Sequence, residues 1–401
     1  MTFQFGIDQL LDDPKLISRL ASARVALVGH PASVTQDGSH SMDALIKAGI
    51  TLERAFGPQH GMRGDKQDNM IESSDFLDPI HAVPVISLYS EHRRPTPEML
   101  HDLDIVLFDL QDIGCRIYTY IATLKYFLEA CGPLDVEVWI LDRPNPAGRP
   151  IDGLYLEPGA ESFVGCDELP TRHGLTTGEL ARWFVDKNKL ETDIEVIEML
   201  DYQPDAAPGY GWPTEMPWIN PSPNASSLNM ARCFAGTVLL EGTLLSEGRG
   251  TTVPLEIIGG PGFPSQQVID KLLAEVPHWI EGVLLRSCFF EPTFHKHQGL
   301  LCAGIQIHTG TPNYDHARFQ PYRLIAGMLK ACHQLNPQQA IWRDFYYEYE
   351  NNRIAIDVIN GGSTLRTWVE DHDAELASLD ALLQPDIDRW QNERANYLIY
   401  P

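Results

Sequence analysis

The sequence is short of positive charge. Its 401 residues carry 30 Lys and Arg against 55 Asp and Glu, a net charge of −25 with His neutral. A surface that tracks phosphates needs a Lys/Arg excess, and no basic stripe stands out, so a nucleic-acid partner is not expected. An anionic membrane would repel such a surface for the same reason. A small anionic substrate stays open, because a local Arg governs a pocket within a screening length of about 10 Å. Long apolar runs are also missing. Nothing approaches the ~20 apolar residues that span a bilayer. The first residues, MTFQFGIDQLLDDPKLISRL, lack the basic start, apolar stretch and cleavage site of a secretory signal. A soluble, cytoplasmic protein is the expectation. Cysteine is sparse and scattered: Cys115, Cys131, Cys166, Cys233, Cys288, Cys302 and Cys332 never come closer than 14 positions. No zinc spacing exists, and most should be buried small hydrophobes in a reducing compartment.

Several chemical signatures are absent too. No GxGxxG follows the first strand, no GxxxxGK[ST] occurs, and neither a GxSxG elbow nor HExxH is found. A dinucleotide site, a P-loop, a hydrolase elbow and a zincin helix are therefore unsupported. The 14 His are scattered, so no metal site is assigned.

What is there is an ordinary globular composition, 43% hydrophobic, with Gly 31 and Pro 29. That predicts well-filled cores and many shaped loops. The length suggests two domains. In the first half, short β-branched runs alternate with helical patterns. Strands are expected at Val25–Val28, Leu52–Phe56, Val83–Leu88, Ile105–Leu110, Val136–Leu141 and Ile194–Met199. Helices are expected at Met42–Ala48, Tyr118–Ala130 and Thr177–Lys187. Glu179 follows Thr176 at capping-box spacing and reads as structural. Such alternation implies a mostly parallel sheet with helices on both faces. The fold class is α/β, a Rossmann-like sheet domain over residues 1–224 followed by a smaller α+β domain over 225–401 that closes a cleft. In the second half, strands are expected at Val283–Phe290, Gly304–His308 and Ile354–Val358, and helices at Tyr322–Leu335 and Ala374–Asn396.

Unusual residues cluster just after the strands. In an open α/β sheet those carboxyl ends line the ligand crevice. Gln59, His60, Asp109, Asp112, Arg116, Asp142, Arg143 and Asn145 should therefore converge, although single members can equally be turn residues or caps. Around 210–224 lies a Pro-rich aromatic loop. Trp212 and Trp218 could stack on a sugar face or plug the domain junction. Three glycines then surround Glu247 and Arg249, which suggests a backbone that closely approaches something.

The ordered strings FGPQHGMRGD (56–65), FDLQDIGCRIYTYIATL (108–124), LDRPNPAG (141–148), PSPN (221–224) and LLEGTLLSEGRGTTVPLE (239–256) resemble a family once catalogued as a domain of unknown function. It now includes exo-acting β-N-acetylmuramidases, glycoside hydrolases of peptidoglycan turnover. The resemblance spans nearly the whole chain. It implies a Rossmann-like domain, a smaller C-terminal domain, and removal of non-reducing-end N-acetylmuramic acid without a nucleotide cofactor. The substrate it implies is a small amino sugar or muropeptide. The family's first motif usually reads Phe-Gly-Pro-Glu-His-Gly, and its Glu resembles a catalytic acid/base. Here Gln59 stands at that position, and an amide exchanges no proton at neutral pH. Either another carboxyl supplies the proton, or the chain is an amino-sugar-binding homologue.

Glycosidic cleavage needs a proton for the leaving oxygen and stabilisation of an oxocarbenium-like transition state, usually from two carboxyls. Asp109, Asp112, Asp142, Glu241 and Glu247 are the candidates. Gln59 could orient a substrate acetamide, and His60 could relay a proton or fix the loop. Muramic acid differs from glucosamine by a lactyl carboxylate, and a fork-shaped cation suits it. Arg63, Arg116, Arg143 and Arg249 are candidates for that contact. Tyr118, Asn145, Trp218 and Asn224 complete the expected binding set, with Tyr118 and Tyr120 alternatively core.

Overall fold

The computed structural model describes residues 2–63, 74–348, 350 and 352–401. Its strands are β1 (Val25–Gly29), β2 (Leu52–Gly57), β3 (Phe76–Leu77), β4 (Pro84–Ser87), β5 (Ile105–Asp109), β6 (Glu137–Leu141), β7 (Asp152–Tyr155), β8 (Pro170–Arg172), β9 (Ile194–Ile197), β10 (Ile257–Gly260), β11 (Leu284–Phe290) and β12 (Cys302–His308). The large sheet runs β3-β4-β2-β1-β5-β6-β9. All neighbours in it are parallel except the short edge pair β3/β4. Without β3, the parallel strands follow the doubly wound order 3-2-1-4-5-6, whose direction reverses between β1 and β5.

The strand interiors are apolar because both faces are covered. Their side chains alternate between two cores. Val25, Leu27, Ile105, Leu107, Trp139 and Leu141 face the helices at Gly6–Asp12, Pro14–Ala21 and Ser41–Lys47. Ala26, Val28, Val106, Phe108, Val138 and Ile140 face the other way, toward the helices at Tyr120–Cys131 and Thr177–Asn188. This second core continues without a break into the C-terminal half, through Val268, Trp279, Tyr322, Ile356 and Trp390. That half is built on the antiparallel sheet β10-β12-β11. Its helices span Leu228–Thr237, Ser265–Glu275, Pro321–Leu335, Ala355–Asn360, Thr364–Glu370 and Ser378–Arg394. The chain is an α/β protein, a Rossmann-like mostly parallel sheet with a smaller α+β part. Its last helix returns to the first half, where the Trp390 indole donates to the His173 carbonyl and Tyr155 N–H donates to Asp386. Among the described residues no helix is long and apolar enough to cross a membrane. All seven cysteines are free and buried.

One expected element has the wrong type. Ile354–Val358 reads as a strand, but Ala355–Asn360 is a helix. Ala355, Ile356, Val358 and Ile359 are fully buried, a spacing that suits one helical face as well as a strand. Gly361, at φ 78°, ends the helix in the left-handed conformation that glycine adopts freely. A run this short does not separate a period of 2 from one of 3.6. The last helix also starts at Ser378 rather than Ala374. The hairpin β7/β8, the strand β10 and five of the helices named above have no counterpart in the sequence-based expectation.

Candidate active site

The switch point between β1 and β5 is where a doubly wound fold usually opens for a ligand. Here its own side chains close most of it, leaving a small cavity lined by Val34, Gln111, Arg143 and Trp212. His30, just after β1, accepts the Gln111 N–H at Nε2 (2.8 Å) and bonds the Pro221 carbonyl through Nδ1 (3.1 Å). A carbonyl can only accept, so Nδ1 carries the hydrogen and the ring is neutral. Burial pushes its basicity well below the ordinary imidazole value, and the Arg143 charge adds to this. Asp109, at the end of β5, is fully buried and takes Arg143 Nε at 2.5 Å and Nη2 at 3.0 Å. Ser41 donates to the same carboxylate.

Asp142, at the end of β6, accepts from Thr176 Oγ1 (2.8 Å), Gly178 N–H (2.8 Å) and Tyr400 Oη (2.7 Å). It caps the helix at Thr177–Asn188 and ties down the chain's last residues. Burial raises its pKa to about 6 against those hydrogen bonds. Thr176 and Glu179 form the capping box expected of them. Asn145 closes its own turn, accepting Ala147 N–H and donating to the Leu175 carbonyl. Gly114, at φ 78°, lies against it, and a Cβ there would stand 2.1 Å from Asn145 Oδ1. Asp112 bonds Gly114 N–H and faces His173 Nε2 at 3.7 Å. Arg116 donates to the Asn360 carbonyl. Arg63 pairs with Asp78. Trp218 donates to the Ala225 carbonyl and packs on Trp212, centroids 4.9 Å apart. These expected site residues are internal braces, and none of them lines the cleft described next.

That cleft lies beside the plugged crevice, between the ends of the large sheet and the C-terminal half. Its volume is about 490 Å³ including the open mouth. Gln59, His60, Tyr118, Asn224, Glu241 and Arg249 converge on it as the sequence suggests, joined by Thr119, Ser222, Tyr347 and Glu348. Gln59 and His60 sit in the turn after β2. Gly61 N–H donates back to the Pro58 carbonyl (2.8 Å), and His60 takes φ 71°. Gly57 permits this fold-back, since a Cβ there would stand 2.7 Å from Met62 N. The Pro-Ser-Pro-Asn loop is pinned through Pro221, whose carbonyl also accepts Tyr120 Oη–H at 2.7 Å. Tyr120 is thus core, and Tyr118 is the member of the pair that reaches the cleft.

Two carboxyls line the cleft in unlike surroundings. Glu348 bonds Gln59 Nε2 at 3.4 Å and Tyr89 Oη at 3.0 Å. The Gln59 amide has a set orientation, because its Oε1 accepts Thr119 Oγ1–H at 2.9 Å. Burial, helped by the nearby charge of Glu241, raises the Glu348 pKa to about 7, above the ordinary carboxyl range. Its backbone is left-handed, φ 46°, a costly state for a non-glycine residue that recurs at functional sites. Glu241 instead accepts Arg249 Nη2 and Tyr347 Oη, each at 2.6 Å. Behind Arg249 stands Glu247, fully buried, with Lys296 Nζ at 2.8 Å, Arg249 Nε at 3.2 Å and His295 Nδ1 at 3.4 Å. Burial opposes its ionisation, but Lys296, Arg249 and His295 together hold its pKa down to about 2. Glu247 is therefore a permanent anion that fixes Arg249, and it does not line the cleft. Glu348 is the cleft carboxyl that the sequence reading missed. It lies in an irregular segment rich in acids and tyrosines, where nothing local singles it out.

Comparison with known proteins follows the same outline. The N-terminal profile of the exo-β-N-acetylmuramidase NamZ family matches residues 25–229, and the C-terminal profile matches residues 232–400. The chain is 36% identical, over 99% of its length and 91% of the relative's, to the peptidoglycan β-N-acetylmuramidase NamZ of Bacillus subtilis. It is also similar to two solved DUF1343 family proteins of Bacteroides fragilis. One superposes with a TM-score of 0.83 at 26% identity, the other with 0.75 at 24%. Each match covers 100% of this chain and 99% of the other.

Proposed function

The chain belongs to the exo-β-N-acetylmuramidase NamZ family, and from that premise we propose that the cleft removes N-acetylmuramic acid from the non-reducing ends of peptidoglycan fragments, with Glu348 as proton donor. The observation that carries the reading is the pair of cleft carboxyls with opposite character. Glycosidases need one carboxyl that keeps its proton and one fixed negative charge, and unlike environments provide them. Glu348, with a pKa near 7, holds a proton in a large fraction of molecules at neutral pH. Glu241, in an ion pair with Arg249, offers charge toward a developing oxocarbenium ion. In the reaction the Glu348 proton passes to the glycosidic oxygen as the C1–O bond breaks. Water then adds to C1, and its proton returns to the Glu348 carboxylate.

Gln59 takes no part in proton transfer. It holds Glu348 through one N–H of its amide. The two halves, 1–224 and 225–401, each contribute one side of this arrangement, and Glu348 completes the site from the second. Release of p-nitrophenol from p-nitrophenyl β-N-acetylmuramide tests the reading. Turnover by the parent chain is expected. A folded chain that binds N-acetylmuramic acid without turnover would replace the enzyme with a binding protein.

A further inference from the structure

The expected readers of the substrate's carboxylate are all engaged elsewhere. Arg63 pairs with Asp78, Arg143 with Asp109, and Arg116 is buried on the Asn360 carbonyl. Arg249 does line the cleft, but it is held between Glu241 and Glu247, so its charge is already matched.

Across the cleft the situation is reversed. The Tyr118 hydroxyl is buried, and no group among the described residues meets it with hydrogen-bond geometry. Ser222 and Tyr120 stand beside it, within reach of weak hydrogen bonding. Tyr118, Ser222 and Asn224 all line the cleft. Burial raises the Tyr118 phenol well above its ordinary pKa, so it stays a donor at any working pH. The Arg249 charge is felt at this phenol and opposes that of Asp112. Three uncharged groups able to donate hydrogen bonds thus line the cleft together on the N-terminal side. The cleft's carboxyls, Glu241 and Glu348, hang from the other side.

We infer that the lactyl carboxylate of the sugar is held by the neutral donors Tyr118, Ser222 and Asn224 rather than by an arginine fork. The inference rests on the muramidase reading above and adds how muramic acid is told from glucosamine. A buried donor that matches a substrate group rejects the analogue lacking it, because the donor is then left unpaired. A neutral set also grips an anion without burying an extra uncompensated cation when the cleft is empty.

Tyr118→Phe and Asn224→Asp test this with the full chain. The Tyr118 hydroxyl makes no hydrogen bond of full geometry and has only looser contacts with Ser222 and Tyr120 to lose, so Tyr118→Phe should shift the melting temperature little. The p-nitrophenyl β-glycosides of N-acetylmuramic acid and N-acetylglucosamine are compared, together with binding of the two free sugars by calorimetry. The expected result for Tyr118→Phe is a roughly ten- to hundredfold loss in kcat/KM on the muramide, mostly through KM, as for a hydrogen bond to a charged group. The glucosaminide should change less than about threefold. Asn224→Asp, which sets a second anion against the carboxylate, should lose more on the muramide and again spare the glucosaminide. Equal losses on both sugars, or no loss on either, would overturn the inference. If the parent turned over neither glycoside, the muramidase reading would fail by itself. The preference for free N-acetylmuramic acid over N-acetylglucosamine, and its loss in Tyr118→Phe, would still decide the present point.

Discussion

Two polar clusters lie side by side at the carboxyl ends of one sheet. At the switch point, His30 is satisfied by Gln111 and Pro221, Asp109 and Arg143 pair with each other, and each is almost wholly buried. In the neighbouring cleft, Glu348 keeps a raised pKa, and the Tyr118 hydroxyl is buried without a well-formed hydrogen bond. Both clusters use the residue types expected of a site. Spare hydrogen-bonding and protonation capacity distinguishes the cleft proposed as the site. A crevice that binds nucleotides in other doubly wound proteins is here largely closed by structural contacts, and the proposed site lies beside it in the neighbouring cleft.

The contrast is sharpest on the cleft side. Replacing Glu348 by Gln keeps the shape and removes the proton. On an unactivated disaccharide the expected loss in kcat is roughly 10²–10⁴-fold, the usual worth of general acid catalysis. The p-nitrophenyl glycoside, whose leaving group needs little protonation, should lose far less at its bond-breaking step. The counterpart on the plug side is Asp109→Asn, which strands the buried Arg143 charge. Unfolding in denaturant should show a cost of about 3–5 kcal/mol, while the molecules that remain folded turn over normally. If Asp109→Asn instead abolished turnover in a stable protein, the division between plug and cleft would be wrong.

Thr119→Val should have a smaller effect. It frees the Gln59 amide to turn its oxygen toward Glu348, which favours the protonated acid. The falling limb of the pH profile should then move up, with kcat changing by roughly fivefold, the worth of about one hydrogen bond. The smallest effect belongs to the plug. Thr176→Ala removes the cap on the helix after Asp142 and should cost about 1 kcal/mol in unfolding measurements, with kcat unchanged.

The sheet was legible because buried parallel strands are written as continuous apolar runs, and β1, β2, β5 and β6 fall within a residue or two of the sequence-based bounds. The helix at Ala355–Asn360 was not, because five apolar-rich residues fit either period. In the site, Gln59, Tyr118, Asn224, Glu241 and Arg249 carry strong local motifs and do converge on the cleft. Asp109, Asp142, Arg143 and Asn145 carry equally strong motifs and do not. A strand end must be capped and its crevice closed whether or not a ligand binds there, and the same residue types serve both purposes. Glu348 was illegible for the opposite reason. Its significance comes from contacts with Gln59, 289 positions away, and Tyr89, 259 positions away. Distances of that kind exist only after folding.

The most direct test of Glu348 as the proton donor is the pH–rate profile of the parent beside that of Glu348→Gln on an unactivated muropeptide. A raised carboxyl pKa means that the acid is protonated below about pH 7 and is lost above it. The parent's kcat should therefore fall about tenfold per unit above that point, and the residual rate of Glu348→Gln should show no such limb. A parent rate that stays flat through pH 9, or a limb that survives in Glu348→Gln, would contradict the account.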